Sequence, residues 1–203
     1  MLSEELVEIS GERFIIDLMY ASEKNMTMYP VYEKIGFGNR ALVRKELWDC
    51  LQKIIPYLEE HNLKMKICDA YRPPIAHMML KDIIPMEGFF APTAERSLHC
   101  HGTAIDCCLT DENGNCLVYP TEVDAFDEGY ARQLSQGKAS EFKLHLQKAR
   151  HDYDNPQQPE AMANRQELKN LMEAAGFEAL MHEWWHYNLV NGHDFPVVDW
   201  KKD

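Results

Sequence analysis

Ser97-Leu98-His99-Cys100-His101-Gly102-Thr103-Ala104-Ile105-Asp106 is the stretch whose reading decides the fold. It offers an imidazole, a glycine and, seven residues after His99, a carboxylate. Side chains of an extended chain alternate between two faces, so residues seven apart point away from each other. His99 and Asp106 can face one point only if the chain turns or distorts between them, and Gly102 is suited to that. After the glycine, Thr103-Ala104-Ile105-Asp106-Cys107-Cys108-Leu109 reads as a buried strand. A carboxylate inside such a run is costly to bury unless it is paired or bound to a metal. Taken alone, the stretch leaves two readings open: half of a metal site, or an acidic strand end with a surface histidine nearby.

A second stretch, Glu183-Trp184-Trp185-His186, shifts the balance. With His186 the chain has two histidines and one carboxylate, a complete protein ligand set for a catalytic zinc whose fourth position stays open to water. Glu183 is then available to take a proton from that water. There is a geometric difficulty. Residues 179–189 read as one strand, in which Glu183 and His186 would face opposite sides unless the backbone bulges or turns there.

Working outward, residues 13–18 read as a short strand and 20–32 as an aromatic-spotted loop. From Asn39 to Asn62 the apolar residues Leu47, Leu51, Ile54, Ile55 and Leu58 recur at helical steps. Asn39 is the expected cap and Pro56 the expected kink or split. Residues 63–69 alternate as a strand with one wet face, and 75–84 look like a short helix. Arg72 falls at that strand's end; in isolation, Asp69-x-x-Arg72 reads as a surface ion pair. Asp111-Glu112-Asn113-Gly114-Asn115 predicts a hairpin turn, with 116–119 as the return strand. Residues 139–153 and 160–175 read as helices, the second ending at Gly176. The order predicts an α+β fold: a central antiparallel sheet with helices packed against it, in a single domain spanning 1–203.

Composition narrows the function. A hydrophobic content of 45% suits a globular protein, and no stretch is long and apolar enough to span a membrane. The acidic start, Met1 to Glu8, does not read as a secretory signal, so the expectation is a cytoplasmic protein. A formal charge of -12 argues against nucleic acid and anionic membranes as partners. The six cysteines include no CxxC pair and are expected to be free thiols. Cys100 reads as a neutral neighbour of His99, and His101 and His182 as surface histidines.

The combination Ser97-x-His99-x-x-Gly102-x-Ala104-x-Asp106, followed by Glu183-x-x-His186, resembles the zinc D-alanyl-D-alanine dipeptidases of the VanX type. Asp69-x-Tyr71-Arg72-Pro73 matches the segment carrying that family's active-site arginine, and residues 123–128 are similar to its Phe-Asp-x-x-Asp-Glu loop. Tyr20-Ala21 and Asn25 fall where the family has a similar Tyr-Ala and Asn. His101 and Cys107-Cys108 depart from the pattern without touching a proposed ligand.

The resemblance implies hydrolysis of D-alanyl-D-alanine with one Zn²⁺ per chain, held by His99, Asp106 and His186. Glu183 would serve as general base and acid, and the fixed cation of Arg72 would stabilise the oxyanion. It also implies that Asp124 receives the substrate ammonium, with Ser97 and Tyr20 as hydrogen-bonding neighbours. Such a clamp acts as a ruler, because a longer peptide carries its ammonium elsewhere. Two alternatives differ in class: a zinc D,D-carboxypeptidase trimming peptidoglycan stems, which would lack the clamp, and a non-catalytic zinc module, which would lack the general base.

Overall fold

The computed structural model describes residues 5–85, 89–123 and 139–200. In chain order the elements are β1 (Leu6–Glu8), β2 (Phe14–Ile16), α1 (Val31–Ile35), β3 (Leu42–Arg44), α2 (Lys45–Gln52), α3 (Ile55–Glu60), β4 (Lys64–Asp69) and α4 (Pro74–Ile83). There follow α5 (Leu98–His101), β5 (Ala104–Thr110), α6 (Ala139–Lys148), α7 (Pro159–Ala175), β6 (Phe177–Ala179) and β7 (His186–Leu189). The five-stranded sheet has the order β2-β4-β5-β7-β6, and β1 pairs with β3 in a separate ribbon. The predicted α+β class is what the chain adopts. The sheet is antiparallel apart from its edge pair, where β2 runs parallel to β4.

β5 is the central strand, and all seven of its residues are buried. That explains why it is written as a nearly continuous apolar run rather than an alternating one. Its pairing with β4 holds a bulge between Ile67 and Asp69. In a regular ladder, with Ile67 opposite Cys107, Asp69 would oppose Ile105 and share its face. The extra residue, Cys68, brings Asp69 opposite Asp106 instead. On the other side of β5, Asp106 pairs with His186. A single rung across three strands therefore carries Asp69, Asp106 and His186.

Several boundaries differ from the sequence-based expectation. The first part of the 39–62 helix is strand β3, because Leu42 and Val43 are buried in pairing with β1. Asn39 caps no helix; its side chain accepts the Leu18 amide at 2.9 Å and donates to the Ile16 carbonyl at 3.3 Å. The helical remainder is split before Pro56, which takes an early position in α3, where a missing N–H costs nothing. The return strand at 116–119 reduces to one bridge, Thr110 with Cys116. The Leu109 amide that a longer ladder would engage is taken by the Tyr119 hydroxyl at 3.0 Å.

The 179–189 strand is in fact β6 and β7 joined by a tight connection through Leu180–Trp185. The Leu180 amide donates to the His186 carbonyl at 3.0 Å, and the His186 amide to the Glu183 carbonyl at 3.1 Å. Helix α7 ends as expected, with Gly176 at φ 111°.

Gly102 makes the turn between His99 and Asp106. It adopts φ 73° directly after the single helical turn α5. The end of β3 holds that turn: the Arg44 amide donates to the Gly102 carbonyl at 2.9 Å, and its Nε to the His101 carbonyl at 2.9 Å. A Cβ on Gly102 would lie 2.7 Å from Leu6 Cδ2 and 3.3 Å from Arg44 Cγ. Gly102→Ala is therefore expected to lose at least about 1–2 kcal/mol from the left-handed backbone alone, with the Leu6 overlap adding to it. Urea denaturation checks this; unchanged stability would mean that the turn relaxes without strain.

Candidate metal centre

Three side chains converge from separate parts of the chain. His99 sits on α5, Asp106 on β5 and His186 at the start of β7, and all three are buried. Their candidate ligand atoms lie within 4.8 Å of one another. His99 Nε2 is 3.2 Å from His186 Nδ1 and 3.4 Å from Asp106 Oδ2, and His186 Nδ1 is 3.0 Å from Asp106 Oδ1. The sequence-predicted ligand set is thus brought together as a unit.

The outer ring nitrogens set which atoms are free to ligate. His99 Nδ1–H donates to the Ala70 carbonyl at 2.7 Å, and His186 Nε2–H donates to Asn188 Oδ1 at 2.8 Å. With those protons placed, His99 Nε2 and His186 Nδ1 point lone pairs at each other and at a carboxylate. Such a cluster is repulsive unless a cation sits within it. Two imidazole nitrogens, each oriented by an outer hydrogen bond, and a carboxylate oxygen suit a divalent transition metal. Burial alone would raise the Asp106 pKa; in the metal-free site, the charge and hydrogen bonds of His99 and His186 when protonated outweigh it and hold the carboxyl well below its ordinary range. Burial pushes the Cys100 thiol up to about 11, so it stays protonated beside the site.

The strand end after β4 supplies the cation. Arg72 donates from Nε and Nη2 to Asp69 Oδ2 at 3.0 and 2.7 Å. Asp69 Oδ1 accepts from the Tyr32 hydroxyl at 2.5 Å and the Ala70 amide at 2.9 Å. The Asp69–Arg72 pair expected from sequence exists, but buried rather than on the surface. Burial disfavours the guanidinium, yet Asp69 more than compensates and keeps Arg72 charged. The Tyr20 ring lies 5.3 Å from the guanidinium carbon and that of Phe90 5.6 Å.

The cleft over these groups is lined by Arg72, Ser97, Asp106, Glu183, His186 and Asn188, with Phe89, Phe90 and Leu180 as apolar walls. Glu183 projects from the β6–β7 connection, its Oε2 3.7 Å from His186 Nδ1. Because Glu183 is outside the strand, the alternation that would have separated it from His186 does not apply. Ser97 precedes α5 and is buried at the cleft. Tyr20 is fully buried beside Arg72 and outside the residues lining the cleft. Asp124 lies outside the described residues.

His182 is exposed and accepts from Arg150 Nη1 at 2.6 Å, as a surface histidine would. His101 is not on the surface. It is buried between the Phe195 and Glu95 carbonyls, at 2.6 and 2.9 Å from its ring nitrogens. The return of residues 195–196 over α5 covers it, a long-range contact with no local signal. Sequence reasoning also missed Asn188 and Tyr32. Asn188 was accessible in principle, since residues two apart on a strand share a face.

The profile of the D-ala-D-ala dipeptidase family matches residues 139–196, which include Glu183 and His186. The chain is 31% identical over 183 residues to a D-alanyl-D-alanine dipeptidase of Escherichia coli strain K12, covering 90% of this chain and 82% of that protein. It is 27% identical over 208 residues to a D-alanyl-D-alanine dipeptidase of Enterococcus faecium, covering 89% and 91%. A third, from Streptomyces coelicolor, is 26% identical over 224 residues, covering 94% and 95%.

The Asp69–Arg72 pair generates a stability prediction. Asp69→Asn keeps the shape but leaves a buried guanidinium without its counter-charge. Breaking a buried pair in this way costs about 3–5 kcal/mol. Chemical denaturation of the variant should show a loss of that order; a loss near zero would mean that water or another acid reaches Arg72.

Proposed function

The chain belongs to the D-alanyl-D-alanine dipeptidase family of peptidases, and on that premise we propose that it hydrolyses D-alanyl-D-alanine to two D-alanines, with one zinc ion held by His99, Asp106 and His186. The observation that carries this reading is the convergence of those three ligand atoms, each outer histidine nitrogen held by its own acceptor. A zinc ion in that position supplies a Lewis acid and lowers the pKa of water towards neutrality.

The chain's own residues account for the rest. Glu183 stands beside the ligand set, at the mouth of the cleft, where a carboxylate takes the proton of the attacking water and returns it to the leaving amine. Arg72 faces the same cleft with a permanent charge, suited to the oxygen that becomes negative as the carbonyl is attacked. Asp69 and Tyr32 hold it in place through two hydrogen-bonded layers. Arg72 thus needs no reorganisation during the reaction. Ser97 offers a hydroxyl at the cleft wall. Asp124 completes the proposed recognition of the dipeptide by receiving the ammonium, while Tyr20, buried against Arg72, backs that cation rather than meeting the substrate.

Two variants test separate parts of this proposal. His186→Ala, dialysed against zinc and then buffer, is expected to retain well under one zinc per chain on metal analysis, whereas wild type retains one. Full retention would overturn the ligand assignment. Glu183→Gln is expected to keep both zinc and fold while kcat for D-alanyl-D-alanine falls by about 10²–10⁴-fold. Near-normal turnover would mean that another group handles the proton. Cleavage of L-alanyl-L-alanine in parallel reads the stereochemical preference.

A further inference from the structure

Away from the metal centre, the same face of the sheet carries a group of thiols. Cys108 on β5 lies opposite Lys66 on β4. The bulge residue Cys68 and the hairpin residue Cys116 border the same cavity. The Cys108 and Cys116 sulfurs are 3.4 Å apart.

This approach is built into the hairpin. Asp111 accepts the Asn113 and Asn115 amides, each at 2.9 Å, and Asn115 Nδ2 at 2.8 Å, so the turn is closed by its own hydrogen bonds. The Thr110–Cys116 bridge then makes Cys116 the diagonal neighbour of Cys108. A disulfide needs the sulfurs to close to about 2.05 Å. Diagonal neighbours sit near the limit of disulfide reach, so closure requires the hairpin to shift. The hydrogen bonds that flank Cys116, Asp111 N–H to the Asn115 carbonyl and Leu117 N–H to the Leu109 carbonyl, are the ones that must adjust, since the segment leaves the ladder after Leu117. The two thiols also differ in access: Cys116 is exposed and Cys108 is 1% exposed.

We propose that Cys108 and Cys116 are a modification site, a thiol pair that small disulfides of the glutathione class convert reversibly to an intramolecular disulfide. Cys116, as thiolate, attacks one sulfur of oxidised glutathione; the glutathione S–S bond breaks and one glutathione leaves as thiolate. Cys108 gives its proton to solvent and attacks the Cys116 sulfur of the mixed disulfide, expelling the second glutathione. Two protein thiols are oxidised and one glutathione disulfide is reduced to two glutathiones.

The contact with Cys108 and partial burial hold the Cys116 thiol above its ordinary pKa, with the Lys66 ammonium working against them. The reaction therefore speeds up as pH rises. The bond would tie down the base of a segment that supports the metal-centre turn. In that segment Tyr119 stacks on Trp184 at 4.0 Å, and Thr121 accepts the Trp184 indole N–H at 2.9 Å. Trp184 follows Glu183 directly. The inference does not depend on the dipeptidase reading.

The test treats reduced full-length protein with oxidised glutathione at mildly alkaline pH and reads intact mass, then fragments from cleavage at aspartate. Wild type is expected to lose two hydrogens and to yield residues 106–110 linked to the fragment that begins at Asp111. Cys108→Ser should instead accumulate a stable glutathione adduct on Cys116, and Cys116→Ser should leave Cys108 as a thiol. A persistent adduct on wild-type Cys116, or a bond joining Cys68 to Cys108, overturns the proposal. Because residues 106–110 carry both Cys107 and Cys108, tandem mass spectrometry of the linked wild-type fragments, with Cys107 found as a free thiol, decides the question even if a variant folds poorly; a bond to Cys107 overturns the proposal.

Discussion

The constraint on which this molecule depends is one sheet rung that buries three titratable side chains. Asp69, Asp106 and His186 lie side by side on β4, β5 and β7. Burying an ionised carboxylate without a partner is prohibitive, so each group in the rung imposes a partner. Asp69 is satisfied by Arg72, Tyr32 and the Ala70 amide, whereas Asp106 faces the inner nitrogens of the two histidines, an arrangement that calls for a cation. Much of the surrounding architecture serves those requirements. The β4 bulge turns Asp69 to the site face, the Gly102 turn returns His99 over Asp106, and the tight β6–β7 connection carries Glu183 to the same side.

The division between strands and connections follows from what each group does. Asp106 and His186 are on paired strands, where the ladder fixes their separation. His99, Arg72 and Glu183 are on segments just outside strands, where the backbone can be aimed. Those connections are tied down individually: His99 and Arg72 by the Arg72 amide donating to the His99 carbonyl at 3.1 Å, and the Glu183 turn by Trp184. The Arg72 cation, paired from behind with Asp69, and the Glu183 carboxylate thus line one cleft from separate connections.

How much was legible in the sequence depended on the range of the interaction. The His99–Asp106–His186 cluster could be read because a metal site demands those residue types, and the turn between His99 and Asp106 could be read because glycine best suits its left-handed backbone. The buried β5 and the end of α7 at Gly176 were readable for similarly local reasons. Strand β3 was misread as helix because its pairing with β1 lies more than thirty residues away in sequence. His101 was taken for a surface residue because the carbonyl that covers it belongs to Phe195.

The sequence by itself therefore determined the fold class, the identity of the His99–Asp106–His186 set and the need for a turn at Gly102, since composition, alternation and backbone sterics are properties of neighbouring residues. Tertiary structure alone decided that Asp69 joins the rung through a bulge, that Asn188 and Ala70 orient the histidines, and that Glu183 leaves the strand to face His186. These depend on register and on which backbone groups remain unpaired at strand ends. Both are settled only when the strands meet.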